Sequence, residues 1–202
     1  MRTGRFFVAL ALVLTCGGTL ATTPAAAQFS ERFEFFKAVK DSNAAEAKAL
    51  FSRAGTTIIN VRERSSGRTA LHMVTERRDA PWINFLKQGG DDVNVRDIEG
   101  NTPLMVAADR RFTDGVQLLL IHGAKPDLAN DRGETPLMRA VQLNDIASVR
   151  LLLTAGANPD LTDNVAGLSA RDYAKRDRRA GRIAALIEEN ETEAAEVMGP
   201  VQ

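Results

Sequence analysis

The chain has 202 residues, of which 26 are lysine or arginine and 26 are aspartate or glutamate, so its formal net charge is zero. This balance provides no electrostatic reason to bind nucleic acid, anionic lipid or an acidic polymer. The length is that of a single domain.

Residues 1–27 have the three-part layout of a secretory signal peptide. Arg2 and Arg5 form a positive start, an apolar run occupies residues 6–15, and three alanines at 25–27 precede Gln28. The run is shorter than the roughly 20 residues of a membrane span, so an uncleaved anchor is the less favoured alternative. We expect cleavage after residue 27, export across the inner membrane to a bacterial periplasm, and no stable membrane insertion afterwards.

Cys16 leaves a second alternative open. The segment Val-Leu-Thr-Cys-Gly around it is similar to the lipobox of bacterial lipoproteins, whose cysteine is acylated. Thr15 fits that motif poorly, and the alanine cleavage site follows it, so we favour soluble export over a lipid anchor at Cys16. Cleavage would leave 24 basic and 26 acidic residues, a net charge of −2, and no cysteine. Such a chain enters an oxidising compartment without needing a disulfide.

The segment 30–63 is predicted to form a degenerate first unit. Ser30 is a candidate N-cap, and residues 32–40 and 44–53 have helical patterns, with Phe33 and Phe36 at helical spacing. The loop at 55–67 keeps no register with the rest of the chain, so the sequence does not predict its path.

Four glycines then recur almost periodically, at Gly67, Gly100, Gly133 and Gly167, with intervals of 33, 33 and 34 residues. A second set, which follows apolar helical runs, keeps the same period at positions 90, 123 and 156. Self-similarity at this period predicts stacked repeats. The segments that begin at the first set read Gly-Arg-Thr-Ala-Leu-His, Gly-Asn-Thr-Pro-Leu-Met, Gly-Glu-Thr-Pro-Leu-Met and Gly-Leu-Ser-Ala-Arg-Asp.

The chemistry at these positions predicts a helix–turn–helix unit. Thr102 and Thr135 suit helix N-caps, and the proline after each suits the first helical position. The glycines suit turns with positive φ, both at the tips and just after the second helix. Asn144, between the two helices of its unit, tolerates the same conformation. Arg111 occupies the equivalent place one unit earlier and is predicted to be more strained there.

These segments resemble the ankyrin repeat, whose signature is Gly-x-Thr-Pro-Leu-His-x-Ala. The resemblance implies an all-α solenoid of helix–turn–helix units with short hairpin-like turns, here three full repeats and two degenerate caps. We expect the repeat domain at residues 28–188 and an acidic flexible tail at 189–202. The five units are numbered 1 to 5 and are expected at about 30–63, 64–96, 97–129, 130–163 and 164–188.

Residues that could carry chemistry are few. His72 stands at the histidine of the signature, which in the family bonds to the neighbouring turn, and His122 stands at the end of a second helix. Asp91 and Asp92 form an acidic pair that we interpret as solvated turn residues. No nucleophile motif, phosphate-binding glycine loop or metal-ligand spacing occurs, so we expect no enzyme activity, no metal and no cofactor.

The resemblance also implies where a partner binds, because ankyrin-type solenoids bind partners on a concave face formed by turn tips and first helices. Arg77 and Arg110 occupy equivalent positions, as do Arg78 and Arg111, and are predicted to stack as an arginine ladder. The alternative is that these arginines pair with Glu76, Asp79 and Asp109 and only solvate the face. The predicted contact residues are Arg68, Arg77, Ile98, Glu99, Asn101, Arg110, Asp131, Arg132, Glu134, Leu143 and Leu168.

The function expected from this resemblance is binding of another protein outside the cytoplasm, by a monomer and without chemistry. A periplasmic inhibitor or immunity protein that blocks one enzyme is the alternative. An enzyme with an unrecognised site is a third and less favoured hypothesis.

Overall fold

The computed structural model describes residues 24–54 and 58–198. The predicted signal peptide therefore lies outside the described residues up to position 23, and so do residues 55–57 of the loop. A 3-10 turn at Arg178–Ala180 accompanies the α-helices. The α-helices are α1 (Pro24–Lys40), α2 (Ala44–Ala54), α3 (Ala70–Glu76), α4 (Ala80–Gln88), α5 (Pro103–Asp109), α6 (Thr113–Ile121), α7 (Pro136–Gln142), α8 (Ile146–Thr154), α9 (Ala170–Arg176) and α10 (Gly181–Met198).

These helices pair into five units that stack in chain order. The first helices α1, α3, α5, α7 and α9 each pack on the next, and the second helices α4, α6, α8 and α10 stack in the same way. The apolar side chains between the two layers form one continuous core. The predicted all-α solenoid is confirmed.

The predicted cap chemistry is present in the two best-formed units. Oγ1 of Thr102 and Oγ1 of Thr135 each accept a hydrogen bond, 3.3 Å long, from the backbone N–H three residues later. Pro103 and Pro136 occupy the first helical positions, where a missing N–H costs nothing. Each first helix thus begins at a position fixed by its own sequence.

Neighbouring turn tips are joined by one main-chain hydrogen bond per step. Because each bond links residues 32 positions apart, the tips form a continuous ladder along the solenoid. The three bonds run from Ile98 N–H to the Ser66 carbonyl (3.0 Å), from Asp131 N–H to the Glu99 carbonyl (3.0 Å) and from Asn164 N–H to the Arg132 carbonyl (2.8 Å).

Gly100 shows why this ladder requires glycine. Its φ is +78°, and a Cβ atom there would lie 2.8 Å from the backbone nitrogen of Asp131 on the next tip. A side chain would therefore strain the turn and push the tips apart. The glycines after the second helices also have positive φ, between 84° and 90°, as predicted.

The turns between the two helices of a unit use the left-handed conformation without glycine. Arg111 and Asn144 have φ of 50° and 54°, which confirms the left-handed conformation at Asn144 and shows that Arg111 shares it. Ser42 and Arg78, for which the sequence analysis did not predict this conformation, adopt it at 56° and 61°. Non-glycine residues rarely adopt positive φ. Because it recurs here at the same place in each unit, units 1–4 share one turn geometry, and this geometry accepts different side chains.

One expectation at the start of the array differs from the structure, and at the other end helix α10 extends into the predicted tail. Ser30 does not cap α1, because the helix already begins at Pro24 and Ser30 lies within it. Helix α10 runs on to Met198, so residues 189–198 of the predicted flexible tail are helical here. Residues 199–202 lie outside the described residues. In unit 5, Arg171 stands where the other units have a core leucine, and its Nε pairs with Oδ1 of Asp160 at 2.7 Å.

Asp91 contradicts its interpretation as a solvated turn residue. It aligns with Ala124 and Ala157 of the next units and is buried like them, with 1% of its surface exposed. Neither carboxyl oxygen has a hydrogen-bond partner in the described chain. Burial, reinforced by the charge of Asp92 and opposed by that of Lys87, raises the pKa of the Asp91 carboxyl to about 8.

We expect Asp91→Ala to stabilise the protein at pH 8, because alanine fills this position in two other units. The folded-state pKa of Asp91 lies above its unfolded value, so the wild-type free energy of unfolding falls as pH rises from about 4 to about 8. An unpaired buried polar group costs about 1–3 kcal/mol, which predicts a Tm increase of about 5 °C. Thermal melts between these pH values measure the Tm difference between variant and wild type. A Tm difference that does not change with pH would contradict the raised pKa of Asp91.

Candidate functional site

The turn tips and first helices of units 2–4 enclose a depression of about 370 Å³, here called the concave groove. Met105 and Val106 of α5 line it, and both are largely buried. Ile98 stands at its edge with 63% of its surface exposed. The groove therefore combines apolar side chains with charged ones contributed by three successive units.

Most predicted contact residues meet in this groove. Arg77 lies in an adjoining open depression with Lys40 and Glu63, and Asp131 pairs with Arg96 at 2.9 Å on the next tip. Leu143 and Leu168 are half-buried and do not line the groove. The predicted residues that do line it are Arg68, Ile98, Glu99, Asn101, Arg110, Arg132 and Glu134.

Glu76 joins two of the predicted arginines. Nη1 of Arg68 lies 2.6 Å from Oε2 of Glu76, and Nη2 of Arg110 in the next unit contacts Oε1 of the same carboxylate. Burial acts to raise the pKa of the Glu76 carboxyl, but the charges and hydrogen bonds of Arg68 and Arg110 outweigh it, and the pKa lies below its ordinary value. This trio fixes both guanidinium groups across the boundary between units 2 and 3.

Arg77 makes different contacts from Arg110, although both occupy the same repeat position. Its Nε lies 3.1 Å from Oδ2 of Asp79, its Nη1 donates to the Val39 carbonyl, and its guanidinium carbon lies 5.3 Å from the centre of the Trp82 ring. Arg77 therefore joins unit 1 to unit 2 and packs on a core tryptophan.

For Arg77 and Arg110 the predicted arginine ladder is wrong. Arg77 and Arg110 turn to different partners, as described above. Arg78 donates to the main-chain carbonyl of Arg111 at 3.4 Å and lies 5.6 Å from the centre of the Phe112 ring, so the main chain and a ring of the next unit position its guanidinium group. The pairing alternative describes Arg77 and Arg110 better, because Asp79 and Glu76 attract these guanidinium groups whereas a like charge would repel them.

The far end of the groove is held by a second ionic cluster. Nη2 of Arg132 lies 2.7 Å from Oε2 of Glu134, which also accepts a hydrogen bond from Asn130 at 2.9 Å. Burial acts to raise the pKa of the Glu134 carboxyl, but these two donors outweigh it and lower the pKa. Asn130 also donates to the side chain of Asn101 at 3.1 Å, which ties this cluster to the middle of the groove.

Sequence reasoning missed Arg139, which lines the groove and pairs with Asp109 of the preceding unit. The signal was available in the period. Arg139 aligns with Val106 in unit 3, so an arginine replaces an apolar residue on the inner side of a first helix. A charged residue at such a position indicates that the side chain has a polar neighbour in the stacked unit.

His72 positions the groove without taking part in its charge. Its side chain is fully buried. Nδ1 accepts a hydrogen bond from the backbone N–H of Thr69 at 3.2 Å. The ring proton is therefore on Nε2, which donates to the Asn101 carbonyl at 3.0 Å. The predicted bond to the neighbouring turn is confirmed. Burial lowers the pKa of His72 to about 4, so the ring is neutral at pH 7. His122 also joins two units, through Nε2 to Oδ1 of Asn84 at 3.0 Å.

Neither a metal-ion cluster nor a membrane-spanning helix is found in the described part of the chain. Its histidines, aspartates and glutamates form no group of three or more arranged to hold a metal ion. Among the helices between residues 24 and 198, none has both the length and the apolar character of a membrane span. The charged groups of the groove are largely paired with each other, an arrangement that suits recognition of a surface.

Helix–turn–helix units stacked on a shared core, with a groove along their tips, define a solenoid repeat protein. The sequence profile described as ankyrin repeats (3 copies) matches residues 35–130 and 71–163. The chain therefore belongs to the ankyrin-repeat family, whose repeats typically serve as protein–protein interaction modules. A search of curated protein sequences finds no match.

We expect His72→Ala to destabilise the protein by about 1–3 kcal/mol, because the Asn101 carbonyl and the Thr69 N–H lose their partner. His72→Met should cost less, since Met138 in unit 4 accepts from Thr135 N–H through its sulfur at 3.4 Å. The folded-state pKa of His72 lies below its unfolded value, so the wild type loses stability as pH falls from about 6.5 to about 4. Urea unfolding across this range tests the assignment, and an equal pH dependence in His72→Met would contradict it.

Proposed function

We propose that the protein acts outside the cytoplasm as a non-enzymatic module that binds a protein partner through the concave groove. The observation that carries this proposal is the groove itself, in which an exposed Ile98 stands among charged side chains held in fixed positions by ion pairs. Interfaces commonly combine apolar contact with a surrounding polar rim. Because the pairs are formed within the chain, little side-chain entropy remains to be lost on binding.

The character of the groove supports binding over catalysis. Arg68, Arg110 and Arg132 each have a carboxylate partner within 2.7 Å or in closer contact, and His72 is buried and bonded on both ring nitrogens. A general base must reach a substrate proton, and these groups are committed to structural contacts. We therefore infer that rigid presentation of the surface is the mechanism.

An extracytoplasmic location is supported by the layout of residues 1–27. The expected cleavage point after residue 27 falls inside α1, so cleavage would leave residues 28–40 of that helix at the start of unit 1. This segment includes Phe35 and Val39, which are buried in the core. Removal of the leader is therefore compatible with the packing of unit 1.

Substitution on the groove should abolish partner capture without unfolding the protein. We expect Ile98→Asp with Arg110→Glu to lose a partner captured from an extract of the source cells, because the pair removes the apolar contact and breaks the Glu76 trio. The matched control is Ile121→Asp with Arg150→Glu, which makes the same exchanges at exposed positions on second helices. Mass spectrometry identifies the partner, and circular dichroism checks folding.

Capture that survives the groove variant would overturn the proposed site. If the captured partner is an enzyme, its activity in the presence of the protein separates the two hypotheses from sequence. Loss of activity indicates the inhibitor role, and full activity indicates a scaffold.

The intact mass of the protein purified from cells that export it tests whether the predicted signal peptide is cleaved. We expect a chain that begins at Gln28. A mass that includes diacylglyceryl at Cys16 would show the lipid anchor, and a mass that includes residue 1 would show that the leader is retained. Either result would contradict soluble export.

A further inference from the structure

We infer that the partner segment bound in the concave groove presents a basic side chain that pairs with Glu99 and, next to it, an apolar side chain that covers Ile98. This inference rests on the proposed function and names the chemistry of the partner. It reverses the expectation of an arginine-rich face, which would select an acidic partner.

The first step is that the groove's arginines are already neutralised. Four arginines and five carboxylates line the groove, so its net charge is −1. Arg68 and Arg110 share Glu76, and the other two arginines pair with carboxylates of the same or the preceding unit. An acidic partner would have to displace one of these internal carboxylates.

The second step is that the Glu99 carboxylate remains available. Glu99 is exposed, and within residues 24–54 and 58–198 it forms no salt bridge; its Oε2 accepts a hydrogen bond from Nδ2 of Asn101 at 3.1 Å. In the neighbouring Asp97, by contrast, Oδ1 already accepts hydrogen bonds from the backbone N–H groups of Glu99 and Asn101 within the turn. A carboxylate with spare acceptor positions selects a lysine or arginine.

The third step is that an apolar contact lies directly beside this carboxylate. Ile98 precedes Glu99 on the same tip and is 63% exposed. Its backbone is fixed by the bond from its N–H to the Ser66 carbonyl. The carbonyl of Glu99 likewise accepts from Asp131. The two side chains are therefore presented together on a rigid turn, which lowers the ordering cost of binding.

The experiment is selection of random linear peptides displayed on phage against the purified, exported protein. We expect enriched peptides to carry lysine or arginine adjacent to an apolar residue. Glu99→Lys should lower the affinity of these peptides by about tenfold or more, because the ion pair is lost and the new lysine repels the basic residue of the peptide. Ile98→Ser should weaken them too. The matched control is Glu188→Lys, the same charge reversal on the exposed surface of α10, which should leave affinity unchanged.

The outcomes separate this inference from the proposed function. Acidic peptides that are lost with Ile98→Ser but bind Glu99→Lys as well as wild type would overturn the partner chemistry and leave the groove as the binding site. Peptides that are indifferent to Ile98→Ser, Glu99→Lys and Ile98→Asp with Arg110→Glu would overturn both. Failure to enrich any peptide would also count against the inference, since a preformed groove should select from a random library.

Discussion

Every feature of this protein depends on one constraint, which is that no unit can bury its own apolar face. The first helices of units 2–5 have only about two turns, too short to be stable in isolation, and each is stabilised by packing on its neighbour. The tip hydrogen bonds, the left-handed turns and the short caps all serve to bring successive faces into register. Stability is therefore a property of the boundaries between units.

The groove is a by-product of the same stacking. Since similar turns repeat along one edge, side chains from successive units come within ionic contact, as with Glu76 and Arg110 or Asp109 and Arg139. The charges that would otherwise attract ligands thus help to hold the units together. What remains for a partner is the part of the surface that the stacking leaves unpaired, around Ile98 and Glu99.

The period in the sequence predicted the architecture well because its signals are local. Thr102 as a cap, Gly100 at a tip and Asn144 in a left-handed turn each follow from the conformational preferences of a single residue. Pairing across units could not be predicted in the same way. Equivalent positions suggested that Arg77 and Arg110 would stack, whereas the actual partner of each depends on which carboxylate or ring the neighbouring unit offers. The interpretation of Asp91 was wrong for a related reason. Its neighbours in sequence suggested a solvated turn, whereas its alignment with Ala124 and Ala157 indicates a buried position.

Asp91 and His72 belong to the same unit, and this has a consequence for cooperativity. In a one-dimensional array the weakest boundary decides where the structure divides. The carboxyl of Asp91 disfavours the folded state at high pH, and the imidazole of His72 disfavours it at low pH, so both act on unit 2. Both titrations therefore act on the stability of the boundaries between unit 2 and its neighbours, and so on the first wall of the groove.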